Sequence, residues 1–166
     1  MSAQAISAQC REFWQGRQSL LLSTQNADGQ LHTSHAPFAF DEYGNLAVFV
    51  SGLATHTHNL FLASERVSQI SALLVQDEQD CEQIFARERL SLELFAQAIE
   101  RDTVQFSEWM MRFEQRFGDI IATLKTLPDF VLFEMKVQKA VYVRGFAQAY
   151  EFADGLDSEP RLQKPR

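Results

Sequence analysis

A short polar segment in the first half of the chain carries residue types that could bind an anion or a metal. Ser51 ends an apolar run, and the segment THTHN follows, with His56 and His58 separated by one residue. Thr55 could cap a helix whose first turn holds both imidazoles and Asn59. Free backbone N–H groups and imidazoles at a helix start attract anionic groups. Taken in isolation, the same residues also fit a solvated helix start in which Thr55 is only a cap.

Two arginines and one aspartate form a second group of candidate residues. Apolar side chains of the segment 84–99 mostly share one parity, and Arg87 and Arg89 fall on the other, which predicts one strand face bearing both guanidinium groups. Guanidinium groups bind carboxylates and phosphates in a bidentate manner. The alternative is a solvated strand face. Asp129 follows Pro128 directly and could be a turn residue at a strand start.

The other metal-binding residue types have unsuitable spacings. His32 and His35 lie an odd number of positions apart on a predicted strand, so they point to opposite faces and do not form a simple ligand pair. Cys10 and Cys81 are far apart and lack a CxxC or Cys/His arrangement. We therefore expect neither a disulfide framework nor a structural zinc site.

Composition narrows the class of protein. The chain has 166 residues, is 46% hydrophobic and carries a formal net charge of -7. A negative net charge disfavours nonspecific binding to nucleic acids and membrane surfaces. The sequence also lacks an apolar run of membrane-spanning length and a secretory signal pattern at its N-terminus. We expect a cytoplasmic protein that binds neither nucleic acids nor membranes.

Hydrophobic periodicity predicts the elements that position these residues. Apolar spacings of three and four predict a helix over residues 3–17 and another over 102–124, the second capped by Asp102. A short helix begins near Thr55. Alternation and turn signals predict strands over residues 19–25, 31–40, 46–51, 67–75, 84–99, 130–137 and 140–150, the last with a bulge at Gly145.

These elements give an α+β fold that is mainly antiparallel β. Many antiparallel strands with few helices and little βαβ alternation favour a barrel with flanking helices. No Pro/Gly/Ser-rich linker divides the chain. We therefore expect one domain over residues 1–153, with its N-terminal helix, followed by a polar, mobile tail over residues 154–166.

Several segments in the order of the chain carry a family resemblance. They are SGLATHTHNL with ASERVSQISALL, then FARERLSL, EQRFGDII, LPDFVLFEM and VRGFAQAY. The first pair resembles the core of the FMN-binding split-barrel superfamily, the pyridoxamine-phosphate-oxidase-like proteins. The later segments resemble its haem-utilisation branch of HugZ/HutZ-type proteins. The resemblance extends over residues 11–150.

The resemblance implies a homodimeric split barrel with its ligand site at the subunit interface. In the haem branch, an axial histidine holds haem, and the ring is opened with oxygen and an external reductant. Asp129 matches the acidic residue that supports the axial histidine, which implies a part in catalysis. Arg87 and Arg89 match basic residues that line the pocket.

One departure from the family concerns the iron ligand. Family members carry the axial histidine after the GFxQAY strand, whereas residues 151–166 contain no histidine here. His56 and His58 are the remaining candidates, with His32 and His35 behind them. We therefore take His58 as a weak candidate ligand of haem iron.

Two alternative functions remain open at this stage. The first is an FMN-dependent oxidoreductase, in which backbone N–H groups, Ser51, Thr55 and the two arginines would supply much of the phosphate site, and His56 and His58 stand where FMN binders usually have Lys or Arg. Histidines carry full charge only below about pH 6.5, which weakens this alternative. The second is a dimer that binds or stores haem without turnover.

Overall fold

A computed structural model describes residues 1–164 and contains eight strands and four α-helices in that range. The helices are α1 (Ala3–Gln15), α2 (Thr55–Arg66), α3 (Val104–Phe117) and α4 (Ile120–Lys125). The strands are β1 (Ser19–Gln25), β2 (Leu31–Phe40), β3 (Leu46–Ser51), β4 (Gln69–Val75), β5 (Arg89–Ile99), β6 (Phe130–Gly145), β7 (Gln148–Phe152) and β8 (Arg161–Leu162).

The strands β1 to β6 close into an antiparallel barrel. The sheet order is β3-β2-β1-β4-β5-β6-β7-β8, and an additional pairing joins β3 to β6. Because β3 pairs along both edges, the sheet closes and its first strand has no free edge. The predicted α+β split barrel with flanking helices is confirmed.

The helices are distributed unevenly around this barrel. α1 and α2 contribute Phe13, Trp14 and Leu60 to the main core, which fills the barrel. α3 and α4 contribute to a second core on the outer surface, where Trp109 and Phe113 pack with Phe49 of β3. None of the helices within residues 1–164 is long and apolar enough to span a membrane. The outer faces of β1 and β4 and part of β5 remain exposed.

The predicted helix over residues 102–124 is two helices. Gly118 has φ of +74°, a conformation that suits glycine and ends α3. Thr103, not Asp102, caps α3, since its side-chain oxygen accepts from the Phe106 N–H at 3.1 Å. Asp102 itself has φ of +64°. The amphipathic pattern predicted the packing face but not this break.

Three strand predictions also need correction. The segment 84–88 precedes β5, because residues 84–86 form a 3₁₀ turn in which Phe85 is 82% exposed. The two predicted strands 130–137 and 140–150 are the continuous β6 followed by β7. Residues 137–139 accommodate a register shift opposite Glu93 instead of a turn. The predicted bulge near Gly145 is confirmed by a shift between Val143 and Gly145.

Residues 154–164 pack against the barrel, so the predicted mobile tail was wrong for them. Leu156 is 9% exposed and joins the main core, and Pro160 is buried. β8 then pairs with β7, and Asp157 accepts from Arg11 of α1 at 2.8 Å. The tail is polar in overall composition, so its two buried apolar residues, Leu156 and Pro160, did not stand out in the sequence. Residues 165–166 lie outside the described residues.

Replacing Leu156 by alanine should lower the free energy of unfolding by about 2–3 kcal/mol, since the change leaves a cavity in the main core. Leu162, which is 55% exposed on β8, provides the matched control. Leu162→Ala should cost about 0.5 kcal/mol or less. Urea titration followed by circular dichroism measures both. Equal losses in the two variants would contradict the packing of the tail.

Candidate functional site

The closure of the barrel brings Ser51 and Asp129 together. Ser51 ends β3 and pairs with Phe130 of β6, so the residue before Phe130 lies beside it. The Ser51 hydroxyl donates to Asp129 Oδ2 at 2.8 Å. The other carboxylate oxygen, Oδ1, has no hydrogen-bond partner within residues 1–164, and the Asp129 side chain is exposed. This oxygen is available to a ligand.

Glycine at position 52 makes this contact possible. The Gly52 N–H donates to the Asp129 carbonyl oxygen at 2.8 Å. A Cβ at position 52 would lie 2.9 Å from that oxygen, closer than carbon and oxygen pack. Only glycine therefore lets the two chain segments approach so closely. The sequence shows this glycine as a strand end but gives no sign of its partner.

The start of α2 is tied to the same corner, but not as predicted. Ala54 is the N-cap and makes no side-chain cap bond, and Thr55 is already helical. The predicted Thr55 cap was therefore wrong. Thr57 makes the connection instead, because its hydroxyl donates to the Ser51 carbonyl at 2.5 Å. The exposed side chain of Thr55 remains available at the helix start.

His56 is the best-fixed imidazole of the region. Its Nδ1 lies 2.9 Å from Ser34 Oγ of β2. Nε2 makes no hydrogen bond within the described range. Burial lowers the pKa of His56, and the nearby His32 and His35 lower it further. His56 is therefore neutral at pH 7, with one ring nitrogen engaged and the other free.

The other polar residues of this region have different surroundings. His58 is exposed on α2, one residue beyond the buried Thr57. Asn59 is buried and its amide donates to Thr24 Oγ1 of β1 at 3.0 Å, so it holds the helix on the barrel. His32 is half-buried and His35 exposed, which agrees with opposite strand faces. Within residues 1–164, no three His, Cys, Asp or Glu side chains are grouped to hold a metal ion.

The two arginines do not share a strand face. Arg87 lies in the loop before β5, where its Nε donates to the Gln76 carbonyl at 2.5 Å and its Nη1 pairs with Glu78 at 3.4 Å. Arg89 is the first residue of β5, and its Nη1 donates to the Arg87 carbonyl at 2.8 Å. Arg87 is thus bound within the chain, and Arg89 is the freer of the two.

The arginines and Asp129 lie at opposite ends of β6. Arg89 pairs with Val143, whereas Ser51 pairs with Phe130. Thirteen residues separate these two positions, which corresponds to roughly 40 Å along the strand at about 3.3 Å per residue. A single copy of the chain therefore does not combine the predicted anion-binding arginines with the predicted acidic residue.

Arg89 borders an exposed sheet face. Leu73 and Ser91 are paired neighbours on this face, and Leu21 pairs with Leu73. Leu21 is 38% exposed, and Leu73 and Val141 are half-buried. These side chains line a shallow depression of about 340 Å³. Arg89 lies two residues before Ser91, so it points to the same face.

Sequence reasoning missed the residues that orient the site. Ser34 contacts His56 from β2, and Thr57 contacts Ser51 from α2. Neither residue stands out by type, because serine and threonine are ordinary on strand faces and helix starts. The only available signal was that both lie within a few residues of predicted histidines.

Comparison with known proteins places this geometry in a family. The profile of the pyridoxamine 5'-phosphate oxidase family matches residues 6–144. The haem oxygenase HutZ of Vibrio cholerae is 36% identical over 146 residues, which cover 88% of this chain and 80% of HutZ.

Solved structures show the same relationship. A structure of Vibrio cholerae HutZ, described there as a haem storage protein, matches with 31% identity and a TM-score of 0.71, over 90% of this chain and 96% of HutZ. Campylobacter jejuni ChuZ matches with 25% identity and a TM-score of 0.81, over 97% of this chain and 67% of ChuZ. The chain therefore belongs to the pyridoxamine 5'-phosphate oxidase family, in the haem-utilisation branch that its sequence motifs indicated.

Proposed function

We propose that two copies of this chain bind haem in the seam between them and open its ring with oxygen and electrons from an external reductant. The observation that carries the proposal is the Ser51–Asp129 contact, which holds a carboxylate at the start of α2 and leaves one oxygen free. HutZ of Vibrio cholerae is named a haem oxygenase, and 36% identity supports the same activity here.

The α2 region supplies the residue type that haem iron requires. Iron needs an electron-pair donor, and an imidazole suits this role when its other ring nitrogen is engaged. His56 has this arrangement through Ser34. His58 is exposed on the same helix turn, and its assignment as iron ligand stays a prediction. The contacts favour His56.

The acidic residue acts on the groups around the iron ligand. A carboxylate that accepts from an imidazole N–H or from water orients that group and raises its basicity. Asp129 Oδ1 is free for this role, while Oδ2 remains on Ser51. Haem iron, when bound, would supply the oxygen activation that ring opening needs. The protein would hold the donor and the carboxylate in place.

A second copy completes the site in this proposal. Haem propionates are anions, and Arg89 is a suitable partner for them. Because Arg89 and Asp129 lie at opposite ends of β6, they can share a ligand only if they belong to different copies. The exposed face with Leu21, Leu73 and Val141 adjoins Arg89 and is the surface that the second copy would cover. A cytoplasmic location, as the sequence suggests, would provide the reductant.

Two alternatives rest on particular observations. The exposed Thr55 and the first backbone N–H groups of α2 suit the phosphate of FMN. However, His56 is neutral at pH 7, and Arg89 pairs with Val143 at the other end of β6, so neither supplies a cation at this helix start. The second alternative is storage, since one structure of HutZ describes it as a haem storage protein.

Haem titration of the purified protein tests the proposal. We expect a Soret band that saturates at a fixed ratio of haem to chain. Asp129→Ala should shift this band and weaken haem binding roughly 10- to 100-fold, the range found when a group that supports a metal ligand is removed. Asp119→Ala is the matched control, because Asp119 starts α4 without a side-chain cap bond. Equal effects of both variants would contradict the role of Asp129.

A second step of the same experiment separates the three functions. Added ascorbate in air should bleach the Soret band if the protein degrades haem. A stable band under these conditions would indicate storage. Absence of any Soret band, with yellow protein after FMN is added, would reject haem in favour of flavin.

Mixed dimers test the shared site. Arg89→Ala and Asp129→Ala chains should each lose tight haem binding when pure. A dimer with one chain of each kind should recover half of the wild-type sites, since one of its two sites then keeps both residues. Tandem purification with two different tags isolates this dimer for titration. No recovery would mean that Arg89 and Asp129 act in the same copy or do not share a ligand.

Stability of the ligand-free protein should depend on the charge of His56. Its pKa is lowered in the folded state by burial and by His32 and His35, so the unfolded chain binds more protons as pH falls through about 6.5. The free energy of unfolding should therefore fall between pH 7.5 and 5.5. His56→Asn should show a smaller fall in urea titrations. Parallel pH profiles would contradict the lowered pKa.

A further inference from the structure

The turn after β5 carries a guanidinium group that contacts the loop of Asp129. Arg101 Nη1 donates to the Lys125 carbonyl at 2.9 Å. Its Nη2 donates to the carbonyls of Leu127 at 2.8 Å and Phe130 at 3.0 Å. Lys125 ends α4 and Phe130 begins β6. One side chain therefore holds both ends of the loop that contains Asp129.

This loop depends on donors from elsewhere in the fold. Pro128 has no N–H. The Thr123 and Leu124 carbonyls at the end of α4 accept from Thr126 and Leu127, whereas the Lys125 carbonyl accepts from Arg101. Arg101 satisfies three carbonyls of this stretch at once. Its guanidinium also lies 5.9 Å from the Phe49 ring centroid and 5.4 Å from that of Phe106. Two aromatic rings thus restrict the position of the guanidinium group.

The contacts of Arg101 lie on both sides of Asp129 in the chain. Leu127 precedes Asp129 by two residues, and Phe130 follows it directly. Asp129 itself is held by the Gly52 N–H on its carbonyl and the Ser51 hydroxyl on its carboxylate. Without Arg101, the Lys125 and Phe130 carbonyls at the two ends of the loop would lose this donor, and the Leu127 carbonyl would keep only the Phe130 N–H.

We propose that Arg101 is a positioning residue, which fixes the 125–130 loop so that the Asp129 carboxylate stays on Ser51 and keeps its second oxygen available to the ligand. This inference rests on the proposed haem function for the identity of the ligand. The positioning of the loop does not depend on haem.

Amide hydrogen exchange of the ligand-free protein tests the positioning directly. In Arg101→Met, the Gly52 N–H should exchange roughly 10- to 100-fold faster, because hydrogen bonds from a charged donor to three carbonyls are lost. Arg101→Lys, which keeps a charged donor, should restore part of the protection. The Leu22 amide in the core of β1 reports global unfolding, and rates are compared relative to it.

Arg112→Met is the matched control for this measurement. Arg112 also lies over an aromatic ring, 5.5 Å from the Trp109 centroid, and its Nη2 donates to Glu42 at 2.6 Å. It makes no contact with the 125–130 loop among the hydrogen bonds of the described residues. Gly52 exchange should be unchanged in this variant. Unchanged Gly52 exchange in Arg101→Met would overturn the proposal, and so would equal acceleration in both variants.

Haem titration of a double-mutant cycle tests whether Arg101 acts through Asp129. Arg101→Met should weaken haem binding about tenfold in the wild-type background and leave it unchanged when Asp129 is already alanine. An equal loss in both backgrounds would overturn the proposal, since Arg101 would then act by another route. If the wild-type protein binds no haem, the proposed function fails, and the exchange measurement alone decides the positioning role of Arg101.

Discussion

The pairing of β3 with both β2 and β6 is the constraint on which this structure depends. β6 is already joined to β3 through β2, β1, β4 and β5, so the direct pairing of β3 with β6 closes the sheet. Closure places the end of β3 beside the beginning of β6, so that Ser51 meets Asp129 although the two residues are far apart in the chain. The site is therefore a product of closure. A register shift of one residue in β3 or β6 would move these side chains to opposite faces.

Closure also divides the outer surface of the barrel. α3 and α4 cover the side where β3 meets the first half of β6, and aromatic side chains of α3 pack around Phe49. Arg101 lies between this aromatic cluster and the Asp129 loop. The opposite side, with Leu21 and Leu73, has no helix over it among the described residues. The packing of one side thus stabilises the site, and the bare side is the surface that the proposed second copy would cover.

Much of the fold follows from patterns that the sequence displays locally. Alternation and turn residues predicted β1 and β2, because one face of each is more buried than the other, and a continuous apolar run predicted β3, which is buried on both faces. The break at Gly118 and the start of β5 at Arg89 were missed. A helical stripe continues on both sides of Gly118, and the alternation of β5 extends into the turn before it, so local pattern alone does not mark either boundary.

The candidate site was predictable in its residue types but not in its arrangement. Asp129, Ser51 and His56 were singled out from motifs, and the structure brings Ser51 and Asp129 into contact. The pairing of Arg87 with Arg89 on one face was wrong, because Arg87 is engaged by Gln76 and Glu78. Long-range contacts of this kind depend on loop closure, which leaves no periodic signal in the sequence.

The distribution of charge and metal donors bears on the choice between haem and flavin. All four histidines of the chain lie between residues 32 and 58, near the start of α2 or on β2. Arg89, the first residue of β5, pairs with Val143 near the other end of β6. In a two-copy seam, a ligand would therefore meet imidazoles and a carboxylate from one chain and a guanidinium from the other. Haem has a metal at its centre and anionic propionates at its edge, so it needs a metal donor and a cation at different places, which matches this separation. A flavin phosphate needs a cation at the helix start, whereas Arg89 lies opposite Val143 at the other end of β6 and the Arg101 guanidinium is bonded to carbonyls of the 125–130 loop.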